Sequence, residues 1–158
     1  MATFSATNSA ATAPVFENNL RGVKHTAYGS ITLAANPAIN DVLEFCWIPA
    51  GATIVGGRFR GQDLDTNGTP TLDIDIGWAA NGVEAADTDG LGNFGVLNGS
   101  AVTNYLPEGG YNLPLNGTLN TGPKQFTNRT KITGIVNAAA ATFAAGTIWV
   151  EVEYLVGE

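Results

Sequence analysis

The sequence predicts an all-β protein, a β-sandwich of the jelly-roll type, and three observations carry that prediction. Apolar residues recur at every second position in several short segments. Gly, Asn and Pro pairs punctuate the chain between those segments. Only 13% of the 158 residues are charged, and Gly, Thr, Asn and Ala make up the balance, a mixture that favours strands and tight turns over amphipathic helices.

Residues 1–20 are small and polar, with Phe4, Val15, Phe16 and Leu20 as their main apolar anchors, too few to fold alone. They read as a flexible N-terminal arm in which Phe4 and Phe16 would gain from docking on a neighbour. Residues 21–158 are expected to form a single β-sandwich domain, long enough for one core.

Residues 23–33 alternate as a first strand and stop at Asn36-Pro37. Residues 41–48 place Leu43, Phe45 and Trp47 on one face and Val42, Cys46 and Ile48 on the other, so both faces are expected to be covered. Pro49-Ala50-Gly51 supplies a turn with proline presetting φ at the second position, and a strand of residues 53–60 follows.

Asn67-Gly68 and Pro70 mark the next turn. In residues 71–78, Leu72, Ile74, Ile76 and Trp78 then alternate with Thr71, Asp73, Asp75 and Gly77, the clearest half-buried strand in the chain. Residues 79–128 loosen into long Gly/Asn-rich loops; they hide short strands or form an elaborated surface. Strands return at 130–137 and 147–156, where Ile148, Val150, Val152, Tyr154 and Val156 oppose Glu151 and Glu153. Trp149 and Leu155 interrupt that acidic face. Residues 138–145 form a short helix or a loop tip.

Seven Lys+Arg against fourteen Asp+Glu give a net charge of −7, which excludes an electrostatic footprint for nucleic acid or for an anionic membrane surface. No apolar run approaches the ~18 residues of a spanning helix. The N-terminal residues lack the pattern of an export signal, and the single Cys46 allows no internal disulfide, which fits synthesis in a reducing cytoplasm.

The sharpest local motif is Asp63-Leu64-Asp65-Thr66-Asn67-Gly68, the first half of a calcium loop with Asp63, Asp65 and Asn67 as oxygen ligands. The twelfth position holds Ile74 instead of Glu, so a polar turn whose Asp residues bond their own backbone is the favoured reading and no cofactor is expected. If residues 53–60 and 71–78 paired across that turn, Arg58 and Arg60 would form a cross-strand ladder with Asp73 and Asp75. Glu84, Asp87 and Asp89 read as a solvated acidic loop, with calcium as the alternative.

Nucleophilic catalysis would need His25, the one histidine, beside Cys46; a strand cysteine among Phe45, Trp47 and Ile48 is expected to be buried and inert, and no enzyme is expected. One His and one Cys do not make a zinc site. Gly90 to Gly95 spells G-x-G-x-x-G without a βαβ context, and three of the four Asn-x-Ser/Thr triplets are Asn-Gly turns. What remains is surface: Phe4, Phe16, Trp149 and Leu155 are the candidate partner interface, and self-association is expected because few helices are present to cover a sheet.

Residues 36–78, with Ile48-Pro49-Ala50-Gly51-Ala52 followed by Thr71-Leu72-Asp73-Ile74-Asp75-Ile76-Gly77, resemble a group of tailed-bacteriophage virion proteins. The resemblance implies a decoration or cement protein on the outer capsid surface, made in the host cytoplasm, often a homotrimer, with the major capsid protein as partner and no catalytic residues. The alternative is a receptor- or glycan-binding module of a phage tail or fibre, using loops 79–128 with Tyr105 and Tyr111 and calcium at Asp63 and Asp65.

Overall fold

The structure, a computed structural model, describes residues 1–12, 23–97, 111–113 and 123–156. Among these residues run ten strands: β1 (Thr3–Ser5), β2 (Lys24–Leu33), β3 (Val42–Ile48), β4 (Ala52–Gly61), β5 (Asp73–Trp78), β6 (Asp87–Gly92), β7 (Tyr111–Leu113), β8 (Lys124–Gln125), β9 (Thr130–Ala138) and β10 (Gly146–Val156). One 3₁₀ turn, Thr7–Ser9, is the only helical element among them.

The strands form two five-stranded sheets. One has the order β1-β3-β9-β5-β6; the other runs β2-β10-β4-β7, with β8 also on β4. Set aside β1 and β8, and the eight remaining strands lie in chain order first-eighth-third-sixth in one sheet and second-seventh-fourth-fifth in the other. That interleaving is the double Greek key of a jelly roll, the expected architecture.

Alternation explains the core. On β10 the side chains of Ile148, Val150, Val152 and Tyr154 point inward and are buried, facing Ile74, Ile76, Ile132 and Val136 of the other sheet across a core that also holds Phe45, Phe59 and Phe126. Each such side chain contributes about 1.5–3 kcal/mol on burial.

Alternation fails at three single-residue bulges, each with a consequence, besides a larger shift between β5 and β6. The extra residue in β3 is Phe45, which turns inward together with Leu43, Cys46 and Ile48, leaving Trp47 on the outer face, contrary to the two-face pattern expected. Its displaced carbonyl lies against Gly29 of β2, where a Cβ would stand 2.1 Å from that oxygen, so only glycine fits. The extra residue of β4 is Val55, pushed outward and 41% exposed. The extra residue of β9 is Asn137, whose carboxamide reaches Asp75 of β5.

Other expectations change in the structure. The turn after β3 is closed by the Ala52 N–H on the Pro49 carbonyl, with Gly51 at φ +75°, so proline occupies its first position instead of its second. Of the two readings of residues 138–145, short helix or loop tip, the structure takes the loop, because the main chain of 139–144 bonds to residues 36, 64–66 and 71. The region 79–128 does contain short strands, β6, β7 and β8.

Residues 53–60 and 71–78 do not pair: β4 and β5 lie in different sheets, and the connection between them crosses from one to the other. The first twelve residues belong to the sandwich. β1 adds in parallel to β3, and Phe4 packs against the chain's own core; Phe16 lies outside the described residues.

Candidate functional site

The outer face of the β2-β10-β4 sheet is a grid set by strand register. Trp149 stands between Ser30 and Arg60, Glu151 between Tyr28 and Arg58, Glu153 between Thr26 and Gly56, and Leu155 between Lys24 and Thr53. Because side chains alternate, the residues that bury Ile148 to Tyr154 necessarily place Trp149, Glu151, Glu153 and Leu155 here.

Two ion pairs run diagonally across the grid, Lys24 Nζ to Glu153 at 2.9 Å and Arg60 to Glu151, and the hydroxyls of Thr32 and Thr147 meet at 2.9 Å. Such exposed pairs are worth about 0–1 kcal/mol each and fix complementarity more than stability. Trp149 and Leu155 are half-buried, Tyr28 is 60% exposed, and Arg58 is exposed without an ion pair among the described residues. The expected ladder of Arg58 and Arg60 with Asp73 and Asp75 is therefore replaced: the arginines face Glu151, and the aspartates lie on the opposite sheet.

The outer face of that opposite sheet is partly closed by the chain's own N-terminal residues. Trp47 carries Arg129 at 4.4 Å and Lys131 at 4.9 Å over its ring and donates its Nε1–H to the Ser9 carbonyl at 2.8 Å. Lys131 pairs with Glu44 at 2.8 Å, Glu44 accepts from Ser5 Oγ, and Arg129 donates to the Ala11 carbonyl. Asn8 donates to the Tyr28 carbonyl at 2.8 Å, tying this segment to β2 as well. Phe4 and residues 1–12 thus dock on their own chain.

The carboxylates singled out in the sequence serve the main chain. Asp65, 2% exposed, accepts five backbone N–H groups: Asn67 and Thr142 on Oδ1, and Thr71, Leu72 and Ala141 on Oδ2. Burial pushes its pKa up, but the bonds from Thr142, Thr71, Ala141 and Leu72 outweigh that and hold the carboxyl below its usual range. About four lone-pair sites facing five donors leave none for a cation. Asp63 accepts from the Asp65 N–H and Asn67 from the Thr69 N–H, the self-bonded turn that the sequence favoured.

Glu84 accepts from the Thr127 N–H and from Asn81, bonds that pull its pKa down to about 2. Asp41 takes the Ala2 and Ala38 N–H groups and is likewise lowered. Among the described residues no group of three or more His, Cys, Asp or Glu side chains is placed to hold a metal ion.

Cys46 is 2% exposed, and burial pushes its thiol up to about 12, so it stays protonated and unreactive. The His25 ring lies tilted 5.6 Å from that of Tyr154, and its buried Nε2 has no hydrogen-bond partner among the described residues. Tyr111 turns inward, its ring 4.8 Å from that of Phe94, so it is not an exposed ligand platform; Tyr105 lies outside the described residues. The grid around Arg58 was half legible: Trp149 and Leu155 broke a polar face, while Tyr28 and Arg58 joined them only through pairings more than 90 residues apart in sequence.

The fold and its surfaces define a class: an eight-stranded jelly roll whose β2-β10-β4 face is mixed in charge and partly exposed, and whose other sheet is partly closed by the N-terminal residues. Solved structures of the same fold come from phage capsids. A chain of the capsid of Ralstonia phage GP4 matches at TM-score 0.75 and 22% identity over 99% of both chains. One from the capsid asymmetric unit of cyanophage Pam1 matches at TM-score 0.66 and 24% identity over 89% of each. A third, from the acidic stable capsid of Helicobacter pylori bacteriophage KHP30, matches at 0.57 and 14% identity over 88% of this chain and 92% of that one. No protein-family model matches the sequence, and the search of curated proteins finds no match.

Proposed function

We propose that this chain is a non-enzymatic virion structural protein that binds the assembled major capsid protein lattice of a tailed phage and stabilises the head as a decoration, or cement, protein. The observation that supports this most is the end-to-end likeness to a chain of the Ralstonia phage GP4 capsid, 99% of one against 99% of the other. The likeness takes in every strand of the sandwich and not one sheet or hairpin of it.

The charge agrees with an outer position. A net −7 suits the outside of a head better than the inside, where packaged nucleic acid presents phosphates. The docking face is the outer β2-β10-β4 surface, where Trp149, Leu155 and Tyr28 supply apolar contact and Arg58 a cation with no ion pair among the described residues, the residue types that anchor interfaces. Binding the assembled lattice and not the free subunits adds binding free energy to the assembled state alone. A homotrimer would present three such faces together and multiply the effect.

The test is addition of the purified protein to expanded heads that lack it. Co-sedimentation that saturates, with heads then resisting heat or chelation that ruptures bare ones, is the expected result. Heads that neither retain the protein nor gain resistance would overturn the reading. Light scattering of the free protein tests the trimer: a mass three times that of the chain is expected, and a monomer would remove it.

A further inference from the structure

Asp73 and Asp75 stand two residues apart on β5 and so share its outer face. Asp75 is 5% exposed; its Oδ2 accepts from Asn137 at 2.6 Å, but its Oδ1 and the Oδ1 of Asp73 are both buried with no hydrogen-bond partner. A buried acceptor without a donor is costly, and an ionised one more so.

The groups acting on Asp75 come from four segments: Asp73 from its own strand, Asp89 from β6, the Phe94 N–H from the segment after β6, and the Asn137 carboxamide from β9. The two charged ones are both acids. The nearest base along β9, Lys131, is paired with Glu44. Burial first, then Asp73 and Asp89, hold the Asp75 carboxyl above its usual range against the help of Asn137 and Phe94.

We propose that Asp75 is a proton-binding switch: a proton taken up by its carboxyl adds an O–H donor to a buried site where Oδ1 of Asp75 and Oδ1 of Asp73 both stand unpaired on the same face. The segment that follows β6 runs alongside this site, since Val96 bridges to Asp73 and the Leu97 N–H bonds to the Leu72 carbonyl at 2.7 Å. Protonation therefore tightens β5, β6 and residues 93–97 together, and ionisation loosens them.

The sign follows from the direction of the shift. A carboxyl raised in the folded state contributes stability that is complete below the unfolded value, near about 4, and is lost as pH rises through the folded value.

The experiment combines carboxyl carbon NMR with urea denaturation of the full chain and of Asp75→Asn, from about pH 5 to about pH 7.5. The Asp75 resonance is expected to titrate above the ordinary carboxylate range. The wild-type midpoint is expected to rise on acidification, and D75N to start from a higher midpoint at neutral pH with a flatter dependence. Titration at or below the ordinary range overturns the proposal, and it is read on the wild type even if D75N fails to fold. A lower D75N midpoint with the wild-type slope also overturns it. So does a midpoint that calcium raises in the wild type and not in D75N, which would make the site a cation site.

Discussion

The two sheets are built alike and differ on their outer faces. On β1-β3-β9-β5-β6 the large outward side chain, Trp47, is tied to residue 9 and carries two cations over its ring, and Thr133 and Asp75 are buried elsewhere on the sheet. On β2-β10-β4 the outward residues Tyr28, Val55 and Arg58 meet solvent, and Trp149 and Leu155 lie half-buried among charges. One face spends its large aromatic and its cations on its own chain; the other pairs Lys24 with Glu153 and Arg60 with Glu151 but leaves Tyr28, Val55 and Arg58 to solvent. Stability and binding should therefore separate by sheet, with loop carboxylates adding to the first.

Asp65→Ala should have the largest effect. It strips the acceptor from five main-chain N–H groups that join loops 62–72 and 139–144, and should cost about 3–5 kcal/mol by urea denaturation. Acid should act through the same group together with Asp41 and Glu84. All three are lowered in the folded state, so their stabilisation is complete above the ordinary carboxylate range, near about pH 4, and is lost as pH falls toward the folded values, about 2 for Glu84. A pH-denaturation curve flat between these limits would break the account of the loops.

Removing residues 1–12 comes next. Loss of the β1 pairing, of Phe4 packing and of the Trp47 bond to Ser9 should lower stability by about 2–4 kcal/mol. Trp149→Ala should cost about 1 kcal/mol or less, and Arg58→Glu should fall within about 0.5 kcal/mol of the wild type. If these two variants proved as destabilising as the truncation, the β2-β10-β4 face would be a structural surface like its opposite, and the comparison would fail.

Much of this was legible in the sequence, and where it was not the reason is the same each time. Alternation at Leu72, Ile74, Ile76 and Trp78, and at Ile148 to Tyr154, announced two strands within a residue or two of their observed bounds. Asn67-Gly68 announced its turn. Alternation carries no record of bulges, so Phe45 was assigned to the face of Trp47 and the outward position of Val55 went unseen. Nor does it record partners. Arg58 and Arg60 were assigned to the nearest acidic strand, but jelly-roll neighbours are remote: Lys24 meets Glu153 across 129 residues and Arg60 meets Glu151 across 91. The loop role of Asp63 and Asp65 could be read from spacing, whereas the donors at Ala141 and Thr142 became visible only once the fold brought residues 139–144 alongside.

The account turns on which face meets the capsid. Hydrogen exchange of the free protein against the head-bound protein tests that most directly. Added protection is expected over β2, β10 and β4 around Tyr28, Arg58 and Trp149, with residues 1–12 and the Trp47 cluster unchanged. Protection confined to the N-terminal segment and the β3-β9 face would contradict it.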